Sequence, residues 1–134
     1  MRTAHALLLA AALAGCATAT RAPSPPPTGL DEAAGRAVLL RFAGACEAGR
    51  WTEAYALLSP RWRAATTPER LAADWRGAGP VAREAAARVA SLLRGGAHLE
   101  PLAASRGRLV LAVGPGRAAR LVEEGGGWRV DALE

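Results

Sequence analysis

The pattern of the chain changes at His98, and that change restricts the fold more than any other feature. After it come short runs rich in Leu, Val and Ala: 98–104, 108–113, 117–123 and 128–133. They are separated by Ser105-Arg106-Gly107, Gly114-Pro115-Gly116 and Gly125-Gly126-Gly127. Connections this short join antiparallel hairpins, because a parallel crossover needs a dozen residues or more. Four such strands make a meander, which needs cover on one face to be stable. That cover must come from the residues before His98.

Those residues follow a helical period broken by Gly and Pro. The spacing predicts a first helix over 30–49, with Thr28 as cap, Asp31 and Glu32 in its positive first turn and Gly49 as a left-handed stop. Its buried stripe is Val38, Leu39, Phe42, Ala45 and Cys46. Thr52 is expected to cap a short helix through Leu58, with Tyr55, Leu57 and Leu58 free to pack. Ser59-Pro60 opens another turn, and Thr67-Pro68 repeats the device for 68–76, where Leu71 and Trp75 share a face. A longer helix is predicted over 80–94, with Val81, Ala85, Val89 and Leu92 as its stripe and Glu84 paired to Arg88. Gly95-Gly96 closes it. Helices first and a meander afterwards give an α+β fold, N-terminal helices packed on one face of a C-terminal four-stranded antiparallel sheet. Phe42, Trp62 and Trp75 are expected to cover that face, with Trp128 sealing it from the last strand.

Residues 1–29 are organised differently. Arg2 is followed by the uncharged run Ala6–Ala12 and then by Leu13-Ala14-Gly15-Cys16. The run is too short to span a membrane, which takes about 20 apolar residues. It has the positive start, apolar middle and small residues of an export signal. Leu13–Cys16 resembles the lipobox of a bacterial lipoprotein, in which the Cys becomes the lipidated first residue of the mature chain. The resemblance implies a signal peptide at 1–15, lipid attachment at Cys16, and two acyl chains that anchor stably where one would not. Ala17 after the Cys implies, by similarity to enterobacterial lipoproteins, the outer membrane facing the periplasm. Residues 16–29 then form a tether with four prolines, which favour an extended helix of about 3.1 Å per residue. Residues 30–134 are one domain's worth of chain.

Composition bears on partners. All 17 basic residues are Arg, and the formal net charge is +5. The arginines are scattered, as expected of solvated helix faces written in GC-rich codons, and export removes nucleic acid as a partner. Of the two cysteines, Cys46 has no intramolecular partner once Cys16 is lipidated. It falls on the apolar face of its helix, where a thiol behaves as a small hydrophobe.

Two stretches carry a second resemblance. Arg41-Phe42, with Gly49-Arg50-Trp51-Thr52-Glu53-Ala54-Tyr55-Ala56-Leu57-Leu58-Ser59, is similar to the opening helices of NTF2-like (cystatin-like) proteins. Glu123-Glu124-Gly125-Gly126-Gly127-Trp128-Arg129-Val130-Asp131 is similar to their last hairpin. The resemblance covers about residues 30–134 and implies a cone-shaped α+β domain. The long helix 80–94 departs from the compact members and would close the mouth of the cone. Enzymes of this fold use Asp, Tyr or His in the cone, and here the acid–base candidates are Tyr55, His98, Asp131 and Asp74. None matches a catalytic motif. His98, at the start of a strand, is placed as an edge residue before it is placed as a base.

Other motifs point away from cofactors. Gly114-Pro115-Gly116-Arg117-Ala118-Ala119 has the spacing of a dinucleotide loop, but Gly125 arrives before a crossover helix could complete, so a hairpin turn explains the glycines. The sequence carries no H-E-x-x-H, Walker loop, C-x-x-C or G-x-S-x-G, so neither a metal nor a cofactor is expected. Two function classes follow. One is a non-catalytic envelope lipoprotein that holds a small apolar ligand or meets an envelope protein. The other is a lipid-anchored NTF2-like enzyme using Tyr55, His98 or Asp131 in a cone pocket.

Overall fold

The computed structural model describes residues 29–102 and 105–133. Cys16, the signal and the tether through Thr28 lie outside the described residues, whereas Gly29, expected as the last residue of the tether, opens the first helix. Five helices come first: α1 (Gly29–Glu47), α2 (Trp51–Ala56), α3 (Pro60–Ala65), α4 (Pro68–Ala78) and α5 (Pro80–Arg94). Four strands follow: β1 (Glu100–Pro101), β2 (Arg108–Gly114), β3 (Arg117–Glu124) and β4 (Gly127–Leu133). The sheet is an antiparallel meander in the order β1-β2-β3-β4. The fold is therefore α+β, with helices and sheet segregated along the chain.

Two helix ends show why glycine stands where it does. After α1, Arg50 N donates to Ala45 O and Gly49 N to Cys46 O, with Gly49 at a φ of 70°. After α5, Ala97 N donates to Leu92 O and Gly96 N to Leu93 O, with Gly96 at a φ of 89°. Both are paired stops in which a left-handed residue lets two late carbonyls find donors. The first stop also displaces the expected cap of α2. The chain re-enters a helix at Trp51 at once, so Arg50 occupies the cap position and Thr52 lies inside the helix. At α4 the expectation is met, since Thr67 Oγ1 accepts from Arg70 N at 3.2 Å.

The core lies between α1 and the inner sheet face. α1 buries Gly35, Leu39, Phe42, Ala43 and Cys46 in one stripe, the i, i+4, i+7, i+8, i+11 spacing of a helix face. The sheet supplies Leu109, Leu111, Ala119, Leu121, Trp128 and Val130, all buried. Alternation along β2 and β3 sends Arg108, Val110, Arg120 and Val122 to the opposite face, as the period of two requires.

Three packing expectations change. α5 buries Ala86, Val89, Ala90 and Leu93, so its face is rotated from the Val81-Ala85-Val89-Leu92 stripe and Val81 is 64% exposed. Alanine on every side of α5 offers little contrast, and contact with α1 decides the phase. Glu84 does not pair with Arg88, whose Nη1 donates instead to Val113 O at 3.4 Å. Of the three rings expected on the sheet, only Phe42 is buried in the core. Trp75 packs against Trp51 with centroids 6.0 Å apart. Trp62 is 42% exposed, with Nε1 donating to Asp131 O. The first strand is also shorter than 98–104, two residues paired to Leu109 and Val110.

The outer edge of β4 is covered. Ser59 N donates to Val130 O and Val130 N to Leu57 O, both at 2.8 Å, so Leu58 forms a parallel bridge to Val130. The α2–α3 junction thus occupies donors and acceptors that would otherwise recruit another strand.

Candidate ligand groove

A groove opens where the N-terminal half of α5 passes the end of the sheet. One wall is Val81, Ala85 and Val89 of α5. The other is Val113 of β2, Ala118 and Ala119 of β3, and Leu133 of β4. Its volume is about 100 Å³. Glu84, Arg88 and Arg117 are the charged residues among its lining. Val81 and Leu133, 64% and 43% exposed, are two of the few large apolar side chains that the described surface presents. Both line this groove.

A bulge aims Leu133 into it. Between β3 and β4, Leu121 faces Val130 while Arg120 faces Ala132, so Asp131 is the extra residue. The insertion reverses the alternation, and Leu133 comes opposite Ala119. Such bulges re-aim the residues that follow them.

The sequence-predicted acid–base residues lie elsewhere. Tyr55, half-buried, donates from its hydroxyl to Arg63 O at 3.1 Å. Asp131 accepts from Ser59 Oγ at 2.7 Å and from Arg61 Nε at 3.3 Å. His98 is exposed and its Nδ1 lies 3.0 Å from Glu32 Oε1. Asp74 pairs with Arg70 at 2.9 Å on the surface of α4. Tyr55 and Asp131 both engage α3 or the junction before it, whereas His98 sits at the other edge of the sheet beside α1. None of the four lines the groove.

Electrostatics agree with structural work for Asp131 and for Glu32, the partner of His98. Burial pushes the Asp131 carboxyl up, but the hydrogen bonds from Ser59 and Arg61, with the charges of Arg61 and Arg108, outweigh it and hold the carboxyl below its ordinary value. A general base working near neutral pH needs the opposite shift. Glu32 is held low by the backbone N–H of Leu99, then by His98 and the charge of Arg36. Its Oε1 accepts from Leu99 N at 3.0 Å, tying the start of α1 to the entry of the sheet. Arg36 completes that junction by donating to Leu93 O and to Ala97 O.

Among the described residues, no group of three or more His, Cys, Asp or Glu is placed to hold a metal ion. No described helix is long and apolar enough to cross a membrane. The thiol of Cys46 is buried and its pKa is pushed up to about 12, by desolvation and then by the charge of Glu47. That is the behaviour of a packing residue, not of a nucleophile.

In comparisons with protein-family models, with curated proteins and with solved structures, no match to this chain was found. The groove itself was missed by sequence reasoning. Val81, Val113 and Leu133 belong to three elements, and only the rotation of α5 and the bulge in β4 bring them together. The one local signal was a large apolar residue, Val81, left over once the true stripe of α5 is drawn.

Proposed function

We propose that this chain is a lipid-anchored protein of the bacterial envelope whose domain, an NTF2-like cone in the sense of the sequence resemblance, binds a small apolar ligand without transforming it. The observation that carries the binding half is the groove between α5 and the sheet end, mostly apolar along both walls, with Glu84, Arg88 and Arg117 as its charged lining residues. Concave, mostly apolar sites with a few polar groups are the usual form of ligand pockets. The enzymatic reading would need acid–base groups converging on that groove, and Tyr55, His98 and Asp131 are committed to contacts elsewhere. The anchoring half rests on Leu13–Cys16 and the Pro-rich tether. The outer membrane, facing the periplasm, is the address we propose from Ala17 after the Cys.

Each half has its own test. Titration of the full chain with a neutral solvatochromic dye should show saturable binding that the Val81→Asp, Leu133→Asp double variant loses while its melting temperature holds. Equal dye binding by the double variant would remove the groove from the reading. Mass spectrometry of the membrane fraction should find acyl mass on Cys16, and Cys16→Ser should leave uncleaved precursor. Wild-type protein without acyl mass would remove the anchor.

A further inference from the structure

We infer that the groove takes a single alkyl chain carrying an anionic head, a carboxylate or a phosphate, with Arg117 and Arg88 holding the head. This rests on the binding reading above and names its ligand class. Val81 and Val89 are eight positions apart on α5, about 12 Å of helix, so the apolar wall is elongated and suits a chain better than a ring system. Val113, Ala118 and Leu133 give the opposite wall the same aliphatic character.

The two positive charges sit at one end. Arg117 faces Gly114 across the β2–β3 turn, and Arg88 Nη1 reaches the same turn, 3.4 Å from Val113 O. The Arg117 side chain has no hydrogen-bond or ion-pair partner among the described residues. Arg88 has only the long bond to Val113, which leaves most of its five donors unused. Glu84 also lines the groove, one helical turn before Arg88 and toward Val81. It forms no ion pair with either arginine. An acid at the tail end and two guanidinium groups at the turn orient an anionic amphiphile with its head toward Arg117. Guanidinium groups match carboxylate and phosphate oxygens in pairs, which a neutral hydroxyl head cannot reproduce.

The experiment is calorimetric titration of the full chain with dodecanoate, dodecyl phosphate and dodecanol, each kept monomeric. The inference expects both anions to bind at least tenfold more tightly than the alcohol, and Arg117→Glu to erase that preference while leaving alcohol binding intact. Dodecanoate and dodecyl phosphate compared directly tell which head the arginines favour. Equal affinity for acid and alcohol, or a preference that survives both Arg117→Glu and Arg88→Glu, overturns the inference and leaves the groove reading standing. Absence of binding by all three ligands overturns both.

Discussion

Ser59 Oγ donates to Asp131 Oδ1 at 2.7 Å, joining the cap position of α3 to the bulge of β4. Ser59 is 1% exposed, and its hydroxyl is spent on this bond in place of capping its own helix. The same carboxylate takes Arg61, while the Asp131 carbonyl accepts from Arg61 and Trp62. A residue that sequence reasoning offered as a catalytic candidate thus fastens the helical half of the chain to the sheet edge. Ser59→Ala should cost about 1–2 kcal/mol, and Asp131→Ala more, because it leaves the buried hydroxyl unpaired. A double-mutant cycle by urea unfolding should give a coupling of about 1 kcal/mol. Strict additivity would show that the bond contributes nothing.

Gly35 is a different kind of joint. A Cβ built there would meet Leu109 Cδ1 at 2.8 Å, Leu121 Cδ1 at 3.0 Å and Leu99 Cδ1 at 3.1 Å. Glycine in mid-helix costs up to about 1 kcal/mol relative to alanine. Here α1 lies too close to the sheet for anything larger. Leu109 and Leu121 are fully buried, so they can yield only by disturbing their neighbours. Gly35→Ala should therefore lower stability by about 1–2 kcal/mol, overpacking outweighing propensity. A raised melting temperature would mean that the leucines move freely and that the approach is looser than it looks.

Much of this fold was legible because its breaks are local. Gly49, Thr67-Pro68, Pro80, Gly96 and the glycines between strands each act through a backbone requirement of a few residues. The order of helices and strands follows from them, as does the placement of Cys46, Phe42 and Trp128 in the core. What failed was phase and reach. The stripe of α5 could not be read, because seven of its residues are Ala or Val spread around the helix. The roles of Asp131 and Trp62 depend on contacts about 70 positions apart along the chain. The groove depends on a bulge that no local signal announces, since Asp131 sits in a strand of ordinary composition.

The carboxylates set an acid limit. Glu32, Glu53 and Asp131 are all held below the ordinary carboxylate range. For Glu53 the hydrogen bonds from Arg41 and Arg50, at 2.6 and 2.7 Å, are the cause. A depressed folded-state value means the unfolded chain takes up protons first, so this contribution is complete above the unfolded values near about 4 and is lost as pH falls through the folded ones. Urea midpoints should be level from about pH 7 to 5 and drop below about pH 4. Glu32→Gln, which keeps an acceptor for Leu99 N, should make that drop shallower. A midpoint at pH 3 equal to that at pH 7 would contradict the assignment.

Cys46 sets the alkaline limit by the opposite sign. Its thiol is 2% exposed, and its pKa stands at about 12 against about 8.5 for a free thiol. Between those values the unfolded chain ionises Cys46 while the folded chain keeps the proton. The unfolded state then binds fewer protons, so stability falls as pH rises, by about 1.4 kcal/mol per unit at most. In a Cys16→Ser background, where Cys46 is the only thiol, a disulfide reagent at pH 8 should react at the rate of global opening and accelerate in urea. Cys46→Ala should leave a small cavity and flatten the stability profile above about pH 9. Rapid labelling of the folded protein, or an alkaline slope that persists without the thiol, would place Cys46 at an accessible surface and return it to the list of candidate reactive groups.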